Sequence, residues 1–201
     1  MNLSICLNLT SSDISLTKDV VAVIGTLGAL AIGILGLSTW RRQLHGTSKF
    51  EVAKNILTTT YKIEDAIQAV RSPMLHLRKE EVEAGRALEE EQRIYSDRLQ
   101  RLNGKRAELR TLALEARAIW GEQDHFDALQ KYISKLQSEI WLHFWLKGAF
   151  AGPGVQVDRS PERVAANDKI VYFIDDEDEF TQKIKNAISD IESVYKKRLR
   201  G

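Results

Sequence analysis

The chain holds one cysteine, three prolines and four histidines, and it has almost no net charge (formally +1 at pH 7). Each shortage excludes something. A single thiol, Cys6, forms no internal disulfide, and zinc or redox motifs built on paired cysteines are absent. His45, His76, His125 and His143 are scattered, with no pair at metal-ligand spacing. The chain contains no P-loop and no G-x-S-x-G elbow. A charge near zero gives no global electrostatic footprint for nucleic acid. The reading is therefore of a protein that is not an enzyme, with no cofactor, no metal and no nucleic-acid partner.

Charge is also missing locally, and there its absence is informative. Val20 to Trp40 is a run of 21 residues without a charged side chain, closed by Arg41 and Arg42. At about 1.5 Å per residue it reaches roughly 31 Å, close to the hydrocarbon thickness of a bilayer. A cleaved secretory signal has the reverse order, with positive charge before the apolar core. Here Asp13, Lys18 and Asp19 precede the run, while Arg41, Arg42, Lys49 and Lys54 follow it. The positive-inside bias then predicts residues 1–19 as a short extracytoplasmic tail, 20–40 as one transmembrane helix and 43–201 as a cytoplasmic helical domain. Trp40, Arg41 and Arg42 suit the membrane interface.

At 100° per residue, Ala22, Gly25, Gly28, Ala29, Gly33 and Gly36 share one face of that helix, and Leu27, Leu30, Ile34 and Leu35 lie on the others. Gly25, Ala29 and Gly33 form a small-xxx-small ladder, which lets helix backbones approach closely in lipid. This face is the candidate helix-association surface, toward a second copy or another membrane protein. The bilayer itself is the other expected partner, together with an unknown cytoplasmic protein. The span carries no ionisable residue, so one copy offers no proton relay.

The remainder reads as mainly α, with apolar residues at three- and four-residue spacing. Ser48 with Glu51 fits a capping box, so a helix is expected to start there and to stop at Ser72-Pro73. From about Arg78 to Trp120, Leu88, Tyr95, Leu102, Leu109 and Ala116 recur every seven residues, with Leu99, Leu112 and Ile119 as companions. Glu91, Arg98 and Lys105 occupy other companion positions. The half-made seam predicts an antiparallel hairpin or a long helix on a bundle rather than a free-standing coiled coil, with a turn or kink at Asn103-Gly104. Between Arg78 and Arg110, nine basic residues face eight acidic ones, a solvated balance that offers no surplus for phosphate contacts.

A third helix is expected over about Asp124 to Lys147, apolar all round toward its end at Trp141, Leu142, Trp145 and Leu146; Lys135, Glu139, His143 and Lys147 argue against a second span, and core burial is expected ahead of an interfacial position or partial insertion. Gly148 to Asp168 reads as a long connection of low order, and Ile170 to Ile174 as a short strand or an apolar plug. The acidic run Asp175 to Glu179 is the best-looking cation site by composition. Its place before an amphipathic helix with Phe180, Ile184, Ala187, Ile188, Ile191 and Tyr195 on one face argues for capping instead. Lys196, Lys197, Arg198 and Arg200 suit the far end of that helix, or anionic lipid.

The span followed by Arg41-Arg42-Gln43-Leu44, then Lys49 to Lys54, Asp65-Ala66-Ile67, Val70 to Pro73 and late Asp178-Glu179-Phe180 resembles a group of uncharacterised bacterial membrane-anchored helical proteins. The resemblance implies architecture and a bacterial inner-membrane setting, and no activity. The expected function is a non-enzymatic anchored interaction or scaffold protein, self-associating through its span. The alternative is a membrane-acting effector or toxin of a bacterial defence system.

Overall fold

A computed structural model describes residues 11–121, 125–149 and 157–200. Cys6 and Gly152-Pro153-Gly154 lie outside the described residues. The described residues contain six helices and no strand. By contacts the chain divides into two units, Met1–Ser48 and Lys49–Gly201.

Helix α1, Ser11–Arg71, is continuous over 61 residues. The helix start expected at Ser48 is therefore corrected: Ser48 and Glu51 sit inside a helix. A capping box works only where the chain enters from an extended residue. No proline stands between Val20 and Ser48, and the glycine at 46 costs only about 1 kcal/mol, so the backbone ladder runs on. The stop at Ser72-Pro73 is as expected, and the orphan carbonyl of Arg71 accepts from the Phe173 amide at 2.8 Å.

Within the second unit, α1 contributes Ala53, Ile56, Ile63, Ile67 and Val70 to the core. After the short α2, Lys79–Glu83, the chain turns at Gly85 (φ 75°) into α3, Ala87–Trp120. This helix passes straight through Asn103-Gly104, where a turn or kink was expected. Asn103 uses its side-chain oxygen to accept from Gln137 on the next helix, so it does not compete for its own backbone. Of the seven-residue series, Tyr95, Leu102, Leu109 and Ala116 are buried and Leu88 is half-buried, and the companion Leu112 is buried with them. Gly121, at φ 71°, closes α3 in the left-handed conformation that a Cβ would strain.

Helix α4, Asp127–Leu146, buries Leu129, Ile133, Leu136, Ile140 and Phe144. The expectation that its end is buried all round is corrected, since Trp141 is 59% and Trp145 36% exposed. Residues Pro161–Val171 form helix α5, with Ser160 accepting from the Arg163 amide at 3.3 Å and Pro161 at its start. Ser-Pro is thus a helix start here: the proline has no amide to leave orphaned, and its fixed φ suits the first turn. Ile170 and Val171 end this helix and form neither a strand nor part of one. Helix α6, Glu179–Leu199, buries Phe180, Ile184, Ala187, Ile188, Ile191 and Tyr195, the face expected.

Side-chain pairs give the directions. Thr59 pairs with Glu108 and Arg98 donates to the Ser72 carbonyl, so α1 and α3 are antiparallel. Glu91 with Lys147 and Asn103 with Gln137 make α3 and α4 antiparallel. Phe126 on Tyr195 and Tyr132 on Phe180 do the same for α4 and α6. Tyr61 beside Glu192 and Arg71 beside Asp178 reverse α6 against α1. The result is an up-down-up-down four-helix arrangement. Helix α5 lies on α4, where buried Asn167 donates to the Glu139 carbonyl at 2.7 Å.

Candidate functional site

The first candidate is the apolar segment at the start of α1. It is the one helix among the described residues long and apolar enough to cross a membrane, and its apolar window is unburied. Ala22, Gly25, Gly28, Ala29, Gly33 and Gly36 are all exposed, and a Cβ added at any of the four glycines would meet nothing within 4 Å. The face identified from spacing is therefore open along its length. The larger side chains around it are equally uncovered, among them Leu27 (60%), Ile34 (61%) and Leu35 (66%). Two hydroxyls in the run are satisfied internally: Thr26 Oγ1 donates to the Ala22 carbonyl at 2.8 Å, and Ser38 Oγ to that of Leu35 at 2.9 Å. A hydroxyl bonded to its own helix presents no unmade hydrogen bond to hydrocarbon. Trp40 and Arg41 are exposed at its end; the Arg42 side chain lies outside the described residues.

The second candidate is a set of buried polar clusters in the helical domain, which spacing did not reveal. Arg71, at 1% exposure, is the last residue of α1. Its Nε donates to the Ile170 carbonyl at 2.8 Å, and its Nη atoms reach Thr181 Oγ1, the carbonyls of Lys169 and Tyr172, and Asp178 at 3.2 Å. Phe180 covers the guanidinium at 5.1 Å. Burial opposes the Asp178 carboxylate. The hydroxyl and amide of Thr181 and the Arg71 guanidinium outweigh it and hold Asp178 below the ordinary value. Asp178 also caps α6 through the Thr181 amide at 2.8 Å.

Its neighbours in the acidic run take separate partners. Asp175 accepts from the Glu177 amide, Asp176 from Lys185 at 2.8 Å, and Glu179 pairs with Lys183. Among the described residues no three His, Cys, Asp or Glu side chains are placed together as a metal requires.

Glu91, a polar companion in the α3 seam, is buried and accepts from Lys147 Nζ at 2.6 and 2.8 Å. His143 Nε2 lies 3.4 Å from the same carboxylate and 3.3 Å from the Tyr172 hydroxyl. Nearby, Tyr95 packs edge-on against Phe144. Burial pushes the Tyr95 phenol far above its ordinary value, and Tyr172 and Glu91 push the same way. In the unfolded chain this phenol ionises near 10.0, before it can in the folded state. The stability it supports is therefore intact below pH 10 and is lost as pH rises beyond it, by about 1.4 kcal/mol per pH unit. Tyr95→Phe is expected to remove that share and flatten the alkaline limb of unfolding, read by far-ultraviolet circular dichroism between pH 9 and 12.

Glu90 anchors the α2–α3 turn. It receives two bonds from Arg78, at 2.8 and 2.7 Å, and two from Arg93, both at 2.9 Å. Those four donors hold its carboxylate far below the ordinary range. Each of these networks joins separate chain segments, so their geometry positions helices. No family model, curated protein or solved structure matches this chain.

Proposed function

We propose that this protein is a membrane-anchored interaction protein of the bacterial inner membrane. Its N-terminus lies outside, its span associates with a second copy or another membrane protein, and residues 43–201 offer a cytoplasmic helical surface to a protein partner without catalysis. The observation that supports this reading most is the open small-residue face, flanked by uncovered leucine and isoleucine, on a helix joined to a domain with its own core. Close backbone approach along such a face gains van der Waals contact that lipid cannot match. The basic residues after the span and the acidic ones before it support the orientation.

The open face also favours the effector reading, in which assembled spans perturb the bilayer. One experiment separates the two. The full chain, Gly33→Leu and residues 43–201 are induced mildly at matched levels, and membrane potential, growth and in-membrane self-association are recorded. The anchored-interaction reading expects unchanged potential and growth for all three, with Gly33→Leu weakening association by about tenfold or more, equivalent to about 1.4 kcal/mol. Depolarisation by the full chain that Gly33→Leu relieves would replace it with the effector.

A further inference from the structure

We propose that the groove between α3 and the start of α4 binds a phosphate ester carried on a partly apolar molecule of nucleotide size. The cavity measures about 700 Å³, within the range of roughly 300–1,000 Å³ usual for small-molecule sites. Arg106, Arg110 and Arg117 line one wall at helical spacing, and among the described residues Asp127 is the single carboxylate of the lining. Arg106 is already held in place, among the described residues by neutral acceptors alone: Gln130, Gln137 at 3.1 Å and Ser134 at 2.9 Å. Its charge is fixed in direction and not cancelled. Arg110 and Arg117 are exposed, and among the described residues no carboxylate pairs with either.

The opposite wall adds to the field. Helix α4 begins at the groove, where among the described residues no side chain caps its first amides, so these add donors while the carboxylate of Asp127 in the same turn offsets part of their charge. The floor is apolar. It consists of fully buried Leu109 and of Phe126 stacked on Tyr195 at 5.8 Å. A guanidinium array recognises phosphate oxygens in pairs, whereas the floor recognises the body attached to them. Inorganic phosphate alone would leave that floor wet. The inference does not depend on the reading of the span.

The test uses the full chain in nanodiscs of phosphatidylcholine, titrated calorimetrically with ATP and, separately, with short-chain phosphatidylglycerol below its micelle concentration. Saturable binding of one of them is expected, weakened about tenfold or more in Arg110→Ala and in Ala113→Trp, which fills the groove. Arg101→Ala, on the same helix outside the groove, should leave it unchanged. Unaltered melting midpoints in the variants show that they fold. Binding of ATP identifies a soluble ester as the source, and binding of the lipid alone identifies a headgroup. Binding of neither, or equal weakening by Arg101→Ala, overturns the assignment.

Discussion

Replacing Arg71 by methionine is expected to destabilise the helical domain by about 3–5 kcal/mol, the usual effect of removing one partner from a buried charge pair. Domains are commonly stable by only about 5–15 kcal/mol, so the loss is a large fraction of the whole. The reason is how much one guanidinium satisfies. It serves the carbonyls of Lys169, Ile170 and Tyr172, the Thr181 hydroxyl and the Asp178 carboxylate. Methionine fills similar volume but leaves a carboxylate only 8% exposed without its cation and three carbonyls short of a donor. Lysine at this position keeps the charge without the planar fork, so Arg71→Lys should recover only part of the loss.

Asp178→Asn gives an independent signature. The depressed Asp178 carboxylate contributes stability above its unfolded value of 3.8, and that contribution disappears as pH falls through the lower folded value. The asparagine variant should lose this segment of the acid limb while keeping the cap on α6. Urea unfolding of the full chain in micelles, followed at 222 nm from pH 2 to 7, measures both effects. A loss below about 1 kcal/mol for Arg71→Met would place the guanidinium outside the fold's stabilising network.

Arg71 also illustrates what the sequence could and could not reveal. The helix stop at Ser72-Pro73, the buried face of α6 and the open glycine face are each written in nearest-neighbour chemistry, through proline sterics, 3.6-residue periodicity and side-chain size. Asp178 as a cap was legible for the same reason. Its partner lies 107 residues away, and no local pattern marks an arginine at a helix end as buried. The missed helix α5 was a misreading of local signals, since Ser160-Pro161 fits a turn and a helix start equally well until Val171 finds a core. Glu91 did carry a signal, an acid on an apolar stripe. Spacing along α3 alone does not distinguish it from a defect in the seam, because its partners, His143 and Lys147, belong to another helix.

Glu91→Gln and Lys147→Met are expected to move the acid limb of unfolding in opposite ways. Burial works against the Glu91 carboxylate, and the hydrogen bonds from His143 and Lys147 overcome it to hold the group below its ordinary 4.5. Its contribution is therefore complete above pH 4.5 and is lost as pH falls through the folded value. Glutamine removes the titrating group, so stability between pH 4.5 and the acid midpoint should become flatter. At neutral pH the charge-assisted bonds are lost, at a cost of about 1.5–3 kcal/mol.

That cost is below the effect at Arg71 because the Lys147 side chain is 38% exposed and can turn to water. Lys147→Met strands the carboxylate instead. With burial less opposed, Glu91 should take a proton at higher pH, and the acid limb should shift upward. Lysine at this place also meets the negative end of α4, and that smaller benefit goes with it. The double variant Glu91→Leu with Lys147→Met replaces both charges by apolar side chains and should recover much of either single loss, as buried pairs elsewhere do. Additive losses in the double variant would mean that the two residues stabilise the hairpin separately and that the pair has no coupling to measure.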